Sequence, residues 1–275
     1  MIQNENQVIK RKGSFMLPFQ VKVILTGLFG GFFGGLLGIG GSFLVIPLLS
    51  GPLGLTKHKA HASALPVAFV AGLSALGFYF SSGNFDLQLS LEVMLGSLVG
   101  VLLGTRLMRF VKGNGLSLLF GFFLFIVAMG FALQIHQPSV TEHAIPYITQ
   151  LSIAPIALGF FAGIASGLFG AGGGTILVPG AVLLLHIGEQ LAQGISLMAI
   201  IPTTLFGTWL HYREGNIATE VIPFLAVSAF GGGLIGGYLA IILHVSILKI
   251  LLVFVLLYIG IRNIWRYWPR KIVNQ

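Results

Sequence analysis

Two glycine clusters hold the most reactive backbone in this sequence: Gly38-Ile-Gly-Gly-Ser42 and Gly170-Ala-Gly-Gly-Gly-Thr175. Glycine permits a sharp break and lets a ligand approach the main chain. A helix that restarts after such a break exposes amide N–H groups with no intrahelical acceptor, and its dipole places roughly half a positive charge there. Two such ends facing each other would bind an anion without a buried Lys or Arg, which lipid makes expensive. Ser42 and Thr175 stand at N-cap-like positions, where a hydroxyl caps the helix or donates to a ligand. Neither cluster is a nucleotide loop, since no Lys-Ser or Lys-Thr pair follows it.

The candidate substrate-binding set from the clusters is Gly38, Gly40, Gly41, Ser42, Gly170, Gly172, Gly173, Gly174 and Thr175. His61, Ser63, Gln193 and Ser196 join it as polar groups at the start of two later apolar segments. Each has a plainer use: glycines pack helices, a histidine beside Lys57, His58 and Lys59 can be interfacial, and hydroxyls and amides join neighbouring helices. Thr203, Thr204 and Thr208 are expected to bond back to their own helix. Asn84 and Asn216, each after a glycine, are expected in turns, and Glu189 as a surface charge near the far face. Gly96, Gly100 and Gly104 have small-xxx-small spacing, and packing is their expected role; Gly40→Leu or Gly172→Leu is expected to abolish transport, and Gly100→Ala largely to spare it. With no cysteine and no His-x-x-x-His spacing, no metal or cofactor is expected. The Gly-x-Ser-Gly nucleophile of an intramembrane protease is missing too, so the chain is not expected to be an enzyme.

The elements that must position these residues are membrane spans. Of 275 residues 56% are hydrophobic and 8% charged, with a mean hydropathy of +0.97; a soluble domain carries about 25% charged residues. The excess of Lys and Arg sits at the ends of apolar runs, which excludes a nucleic-acid face. The 17 residues from Gly31 to Pro47 lie over Gly163 to Pro179 at an offset of 132, with seven identities. The same offset pairs Ala60 with Ala192, Gly83-Asn84 with Gly215-Asn216, and Gly100 and Gly104 with Gly232 and Gly236. Duplication explains this. Apolar runs cover 17–38, 42–56, 62–80, 89–109 and 114–133, then 151–169, 173–187, 193–211, 221–243 and 246–265. In each half the second run is short.

If each glycine cluster turns the chain back on itself, every Lys and Arg except Lys249 falls on one side, as the positive-inside rule requires of the cytoplasmic face. Four uninterrupted spans per half would put Lys57, Lys59, Arg106, Arg109 and Lys112 outside. The predicted fold is therefore an all-α polytopic membrane protein of two inverted-topology repeats, five helical segments each, with glycine-broken hairpins meeting near the midplane. The predicted order is a cytoplasmic tail (1–16), repeat 1 (17–133), an external linker (134–150), repeat 2 (151–265) and a cytoplasmic tail (266–275), in a cytoplasmic (inner) membrane.

The paired Gly-x-Gly-Gly-x-x-x-x-x-Pro segments, Gly38–Pro47 and Gly170–Pro179, resemble those of the sulfite exporter family TauE/SafE, also called toluene sulfonate uptake permeases. Gln193-Gly-Ile-Ser-Leu197, Pro202-Thr-Thr204 and His211-Tyr-Arg-Glu-Gly-Asn216 are similar to that family's second half, and the likeness runs from about Gly27 to Arg262. One departure is that Ala60-His-Ala-Ser-Ala64 stands where the second half has Ala192-Gln-Gly-Ile-Ser196. The resemblance implies a secondary transporter of sulfite, a sulfonate, thiosulfate or a related anion, with proton-motive force as the candidate driver. A passive anion channel and an intramembrane enzyme are the alternatives. The partners implied are the small anion, the lipid bilayer and, as an option, a second copy in a homodimer.

Overall fold

The computed structural model describes residues 18–132 and 153–268. Lys10, Arg11, Lys12, Arg270, Lys271 and the linker 134–150 lie outside the described residues, as does the N-terminal tail boundary at 16/17. Among the described residues every regular element is a helix: α1 Phe19–Leu37, α2 Ser42–Ser50, α3 Lys57–Ser63, α4 Leu65–Ser81, α5 Leu87–Met108 and α6 Gly113–Ala132, followed by α7 Ile153–Phe169, α8 Gly174–Leu184, α9 Glu189–Arg213, α10 Ile222–Ile242 and α11 Val245–Tyr267. Seven of these, with α3 and α4 taken as one span, are long and apolar enough to cross a membrane. Their outward faces are apolar, with Ile126, Val227, Phe254 and Trp265 among the most exposed side chains.

Helix starts keep the offset of 132: Ser42 and Gly174, Lys57 and Glu189, Gly113 and Val245. The third run of each half begins earlier than apolarity indicates. Thr56 accepts the Lys59 amide and caps α3, so polar Lys57, His58 and Lys59 are helical; α9 likewise takes in Glu189 and Gln190. At Ala64 the first half kinks, ahead of Pro66, which cannot donate to the helix ladder. Its counterpart in α9 runs through.

The two halves are interleaved. The main partner of α1 is α10, and that of α7 is α5. Both interfaces bring main chain against main chain. Gly96, Gly100 and Gly104 of α5 rest on the carbonyls of Ile156, Phe160 and Ile164 in α7. Gly232 and Gly236 of α10 rest on those of Leu28 and Phe32 in α1. Both pairs advance in register, so α1 runs alongside α10 in the same direction, and α7 alongside α5. Gly100 packs as expected, and so closely that a Cβ there would overlap the Phe160 carbonyl oxygen.

The basic residues gather at one end of the bundle. Arg109, at the end of α5, pairs with Glu214 at the end of α9. His58 donates its Nε2–H to the Val111 carbonyl at 3.0 Å, Lys57 bonds the Tyr267 hydroxyl, and the Arg266 guanidinium reaches over Gly51 at the end of α2. Lys249, the exception to the charge rule, is 9% exposed.

Candidate functional site

Both glycine clusters break the helix. Gly38, Gly40 and Gly41 have φ of 67°, 77° and 68°; Gly170, Gly172 and Gly173 have 63°, 75° and 80°. Three left-handed residues among four end α1 and α7 outright, because an L side chain is strained in that region. After the break α2 runs for nine residues, about 14 Å at 1.5 Å per residue, and its end lies beside Arg266. The hairpin therefore returns to the basic end. α8 is similarly short, at 11 residues.

The tips of the two hairpins touch. The Cβ position of Gly172 is 3.3 Å from Ser42 Oγ, and that of Gly174 is 2.5 Å from the Ile39 Cα. Ala68 of α4 packs against both Gly40 and Gly172, and Ile200 of α9 against Gly40 and Gly174. Ala68 and Ile200 are themselves equivalents at the offset of 132. Each break also leans on the other half: Gly38 lies on Gln193, and Gly170 on the main chain of His61. The structure thus brings Gly38, Gly40, Gly41, Ser42, Gly170, Gly172, Gly173, Gly174, Thr175, His61 and Gln193 around one junction.

The hydroxyls differ from the sequence expectation in one respect. Ser42 and Thr175 are not N-caps. Left-handed Gly41 and Gly173 take that position without any side-chain cap bond, leaving Ser42 first in α2 and Thr175 second in α8. Both side chains are fully buried, and neither oxygen has a hydrogen-bond partner. Ser196 of α9, one turn before Ile200, is in the same condition. So is Ser166 of α7, whose Cβ is 3.6 Å from the Cβ position of Gly173. Buried polar atoms are rarely left unpaired, and each one calls for a reason. Four around a pair of opened helix N-termini are suited to a guest that accepts hydrogen bonds. Ser166 was missed because its repeat equivalent is Gly34, so nothing in the duplicated pattern marked it.

Ser63 is occupied otherwise: its oxygen accepts the buried Ala218 amide at 2.8 Å. Thr203, Thr204 and Thr208 bond back to the carbonyls of Ala199, Ile200 and Thr204 at 2.7, 2.7 and 2.6 Å, as expected. Asn84 and Asn216 close equivalent turns, their amides bonding the Tyr79 and His211 carbonyls at 3.0 Å.

The C-terminal ends of the broken helices are capped from the side. Tyr79 donates to the Gly35 carbonyl at 2.9 Å, and its equivalent His211 gives its Nε2–H to the Gly167 carbonyl at 3.0 Å. His61 is not interfacial. It is wholly buried and donates Nδ1–H to the Phe169 carbonyl at 2.6 Å, leaving Nε2 unpartnered. Glu189 is not a surface charge either, being 4% exposed and bonded to Gln193. Gln193, one turn along α9, donates its side-chain amide to the inward carboxyl group at 3.2 Å.

At the basic end a cleft of about 530 Å³ is lined by His58, Met108, Arg109, Arg213, Glu214 and Asn216. The hydrogen bond and charge of Glu214 raise the pKa of Arg109, and Arg213 stacks over Trp209 at 5.0 Å.

The sequence profile of the sulfite exporter TauE/SafE family matches residues 6–131 and 155–274. The chain belongs to this family. A probable membrane transporter protein of Xylella fastidiosa (strain 9a5c) is 30% identical over 261 residues, 92% of this chain and 98% of its own. The probable membrane transporter protein YunE of Bacillus subtilis (strain 168) is 25% identical over 270 residues, 90% of this chain and 98% of its own. The probable membrane transporter protein MJ0441 of Methanocaldococcus jannaschii is 29% identical over 216 residues, 76% and 78% of the two chains. No solved structure matches the chain. It is a multi-pass membrane protein of a transporter family.

Proposed function

We propose that this protein is a secondary carrier of a small sulfur-containing anion, such as sulfite, a sulfonate or thiosulfate, held where the two glycine breaks meet. The observation that carries this reading is the set of buried, unpartnered hydroxyls of Ser42, Thr175, Ser166 and Ser196 beside two opened helix N-termini. Sulfur oxyanions offer several acceptor oxygens around one centre, which suits hydroxyl donors supplied by α2, α7, α8 and α9. The half charge at each helix start supplies the positive field.

The two halves are read as inverted repeats. Supporting this are the registers of contact: α1 follows α10 away from the basic end, and α7 follows α5 toward it. An odd number of segments per half then carries the chain to the opposite face before it repeats. With the basic end in the cytoplasm, the cleft between Arg109 and Arg213 is the inner vestibule of the pathway. Complete burial of Ser42, Thr175, Ser196 and Gln193 favours a carrier over an open channel. The halves must move for the anion to leave, and alternating access about a fixed site is the motion such repeats support.

Labelled sulfite and sulfonate flux into proteoliposomes tests the reading. Ser42→Ala removes a hydroxyl that bonds nothing within the protein, so folding stability holds. A hydrogen bond to a charged group contributes about 1.5–3 kcal/mol, so the apparent affinity falls by about 10- to 150-fold. Undiminished affinity in Ser42→Ala and in Thr175→Val, or wild-type protein that carries none of these anions, would refute the site.

A further inference from the structure

A chain of buried polar groups joins Glu189 to the first glycine break. Glu189 Oε1 receives the side-chain amide of Gln193 at 3.2 Å, while Oε2 has no partner. The other end of the Gln193 amide lies 3.2 Å from the Tyr79 hydroxyl. Tyr79 in turn is 2.9 Å from the Gly35 carbonyl and 3.4 Å from that of Leu36, in the last turn of α1. Gln193 also packs directly against Gly38. Tyr79 and Gln193 have no exposure and Glu189 has 4%.

Counting protons allows this chain two arrangements. A tyrosine hydroxyl carries one hydrogen. With the Gln193 amide nitrogen turned to Glu189, the Gln193 oxygen and the Gly35 carbonyl compete for that hydrogen, and one acceptor goes short. A half-turn of the amide lets its nitrogen donate to the Tyr79 oxygen and frees the tyrosine hydrogen for Gly35. The same half-turn brings the Gln193 oxygen against Glu189, an arrangement satisfied only when Glu189 carries a proton. Both states are self-consistent, and they differ by one proton at the carboxyl group. Tyr79, from α4 packed against α9, and Lys249 of α11, by its charge, are the titratable groups that act on Glu189, and among the described residues Glu189 forms no ion pair.

We propose that Glu189 is the proton-binding residue of this carrier, loaded from the aqueous phase at the end opposite Arg109 and Arg213, and that its protonation, relayed by Gln193 and Tyr79, fixes the end of α1 and so the geometry of the Gly38–Ser42 break. This deepens the transport reading and rests on it. The proton comes from water, resides on a Glu189 oxygen and returns to water; no other bond is made or broken. His186 in the loop just before α9 is exposed, so the path to Glu189 is taken to open at that end of the helix.

Two measurements separate the proton site from the transport reading. Infrared difference spectra of the purified protein between acid and alkaline pH, without substrate, should show a protonated-carboxyl band that is lost in Glu189→Gln. In proteoliposomes, accumulation of a labelled sulfonate, whose own charge is constant, should follow an imposed pH gradient in the wild type. Glu189→Gln reproduces the protonated shape and should lose the gradient-driven accumulation while retaining exchange of labelled for unlabelled anion. Tyr79→Phe should keep the infrared band and lose the gradient drive. An unchanged band in Glu189→Gln overturns the proposal, as does retained gradient drive in that variant or joint loss of exchange and drive. Retained drive in Tyr79→Phe overturns the relay. Wild-type protein that moves no sulfur anion yet shows the Glu189 band would refute the transport reading and leave the proton site standing.

Discussion

Gly100→Ala tests whether the interleaved halves are held by main-chain contact. In an unobstructed helix interior alanine is favoured over glycine by about 0.8–1.0 kcal/mol. At Gly100 the new methyl would overlap the Phe160 carbonyl oxygen and lie 2.9 Å from the Ile164 amide nitrogen. Those atoms belong to the α7 main chain, so relief requires moving a helix rather than rotating a side chain. Overpacking costs about 1–3 kcal/mol, and a rigid obstacle places this case near the top of the range. The net expectation is a loss of about 2 kcal/mol after the propensity gain. Gly231→Ala is the internal control, for nothing lies within 4 Å of its Cβ position, and it should gain about 1 kcal/mol. The two variants should then differ by about 3 kcal/mol when unfolded by detergent in mixed micelles and followed by tryptophan fluorescence. Gly232→Ala, the repeat equivalent facing Leu28, should behave like Gly100→Ala. Equal stability of Gly100→Ala and Gly231→Ala would refute the argument.

Two further outcomes follow from single contacts. Ser63→Ala leaves the buried Ala218 amide without its acceptor and should cost about 1–3 kcal/mol in the same unfolding assay, whereas a role for Ser63 in binding alone would leave stability intact. Glu214→Gln breaks the pair with exposed Arg109, and since exposed ion pairs contribute little, the melting temperature should hardly move at any salt concentration; a large salt-sensitive drop would contradict this.

Much of the architecture is legible in the sequence because duplication records it twice. The offset that aligns Gly31–Pro47 with Gly163–Pro179 also aligns the starts of α2 with α8 and of α6 with α11. Hydropathy alone misplaces the starts of α3 and α9, since Lys57 and Glu189 are polar yet helical. The glycine breaks are legible because no other residue tolerates three left-handed positions so close together. What each polar side chain does is less legible. Ser42 reads as a cap and Glu189 as a surface charge until packing shows glycines in the cap position and an inward carboxyl group. Such facts depend on which helix from the other half lies opposite, and the identity of one residue does not encode its partner 100 residues away. Glycine stripes are similarly ambiguous: spacing marks Gly100 as a packing residue, but only the register against Phe160 shows that there is no room for a methyl group.

The places where the repeat fails are as informative as those where it holds. Exchanging the halves maps α1 on α10 onto α7 on α5, and Ala68 onto Ile200, so backbone-to-backbone contacts survive the exchange. It also maps Tyr79 onto His211 and His61 onto Gln193, where side chains cap the broken helices. Identical caps would respond alike to pH and leave inward- and outward-facing arrangements nearly equal in free energy. Here the end of α1 is held by a phenol and an amide tied to a carboxyl group, and the end of α7 by two imidazoles. A change in protonation therefore acts on the two breaks unequally. On the transport reading proposed above, these dissimilar caps are what would let a proton favour one arrangement of the halves over the other. On that same reading the symmetric part of the sequence supplies the carrier's motion, and the asymmetric part supplies its direction.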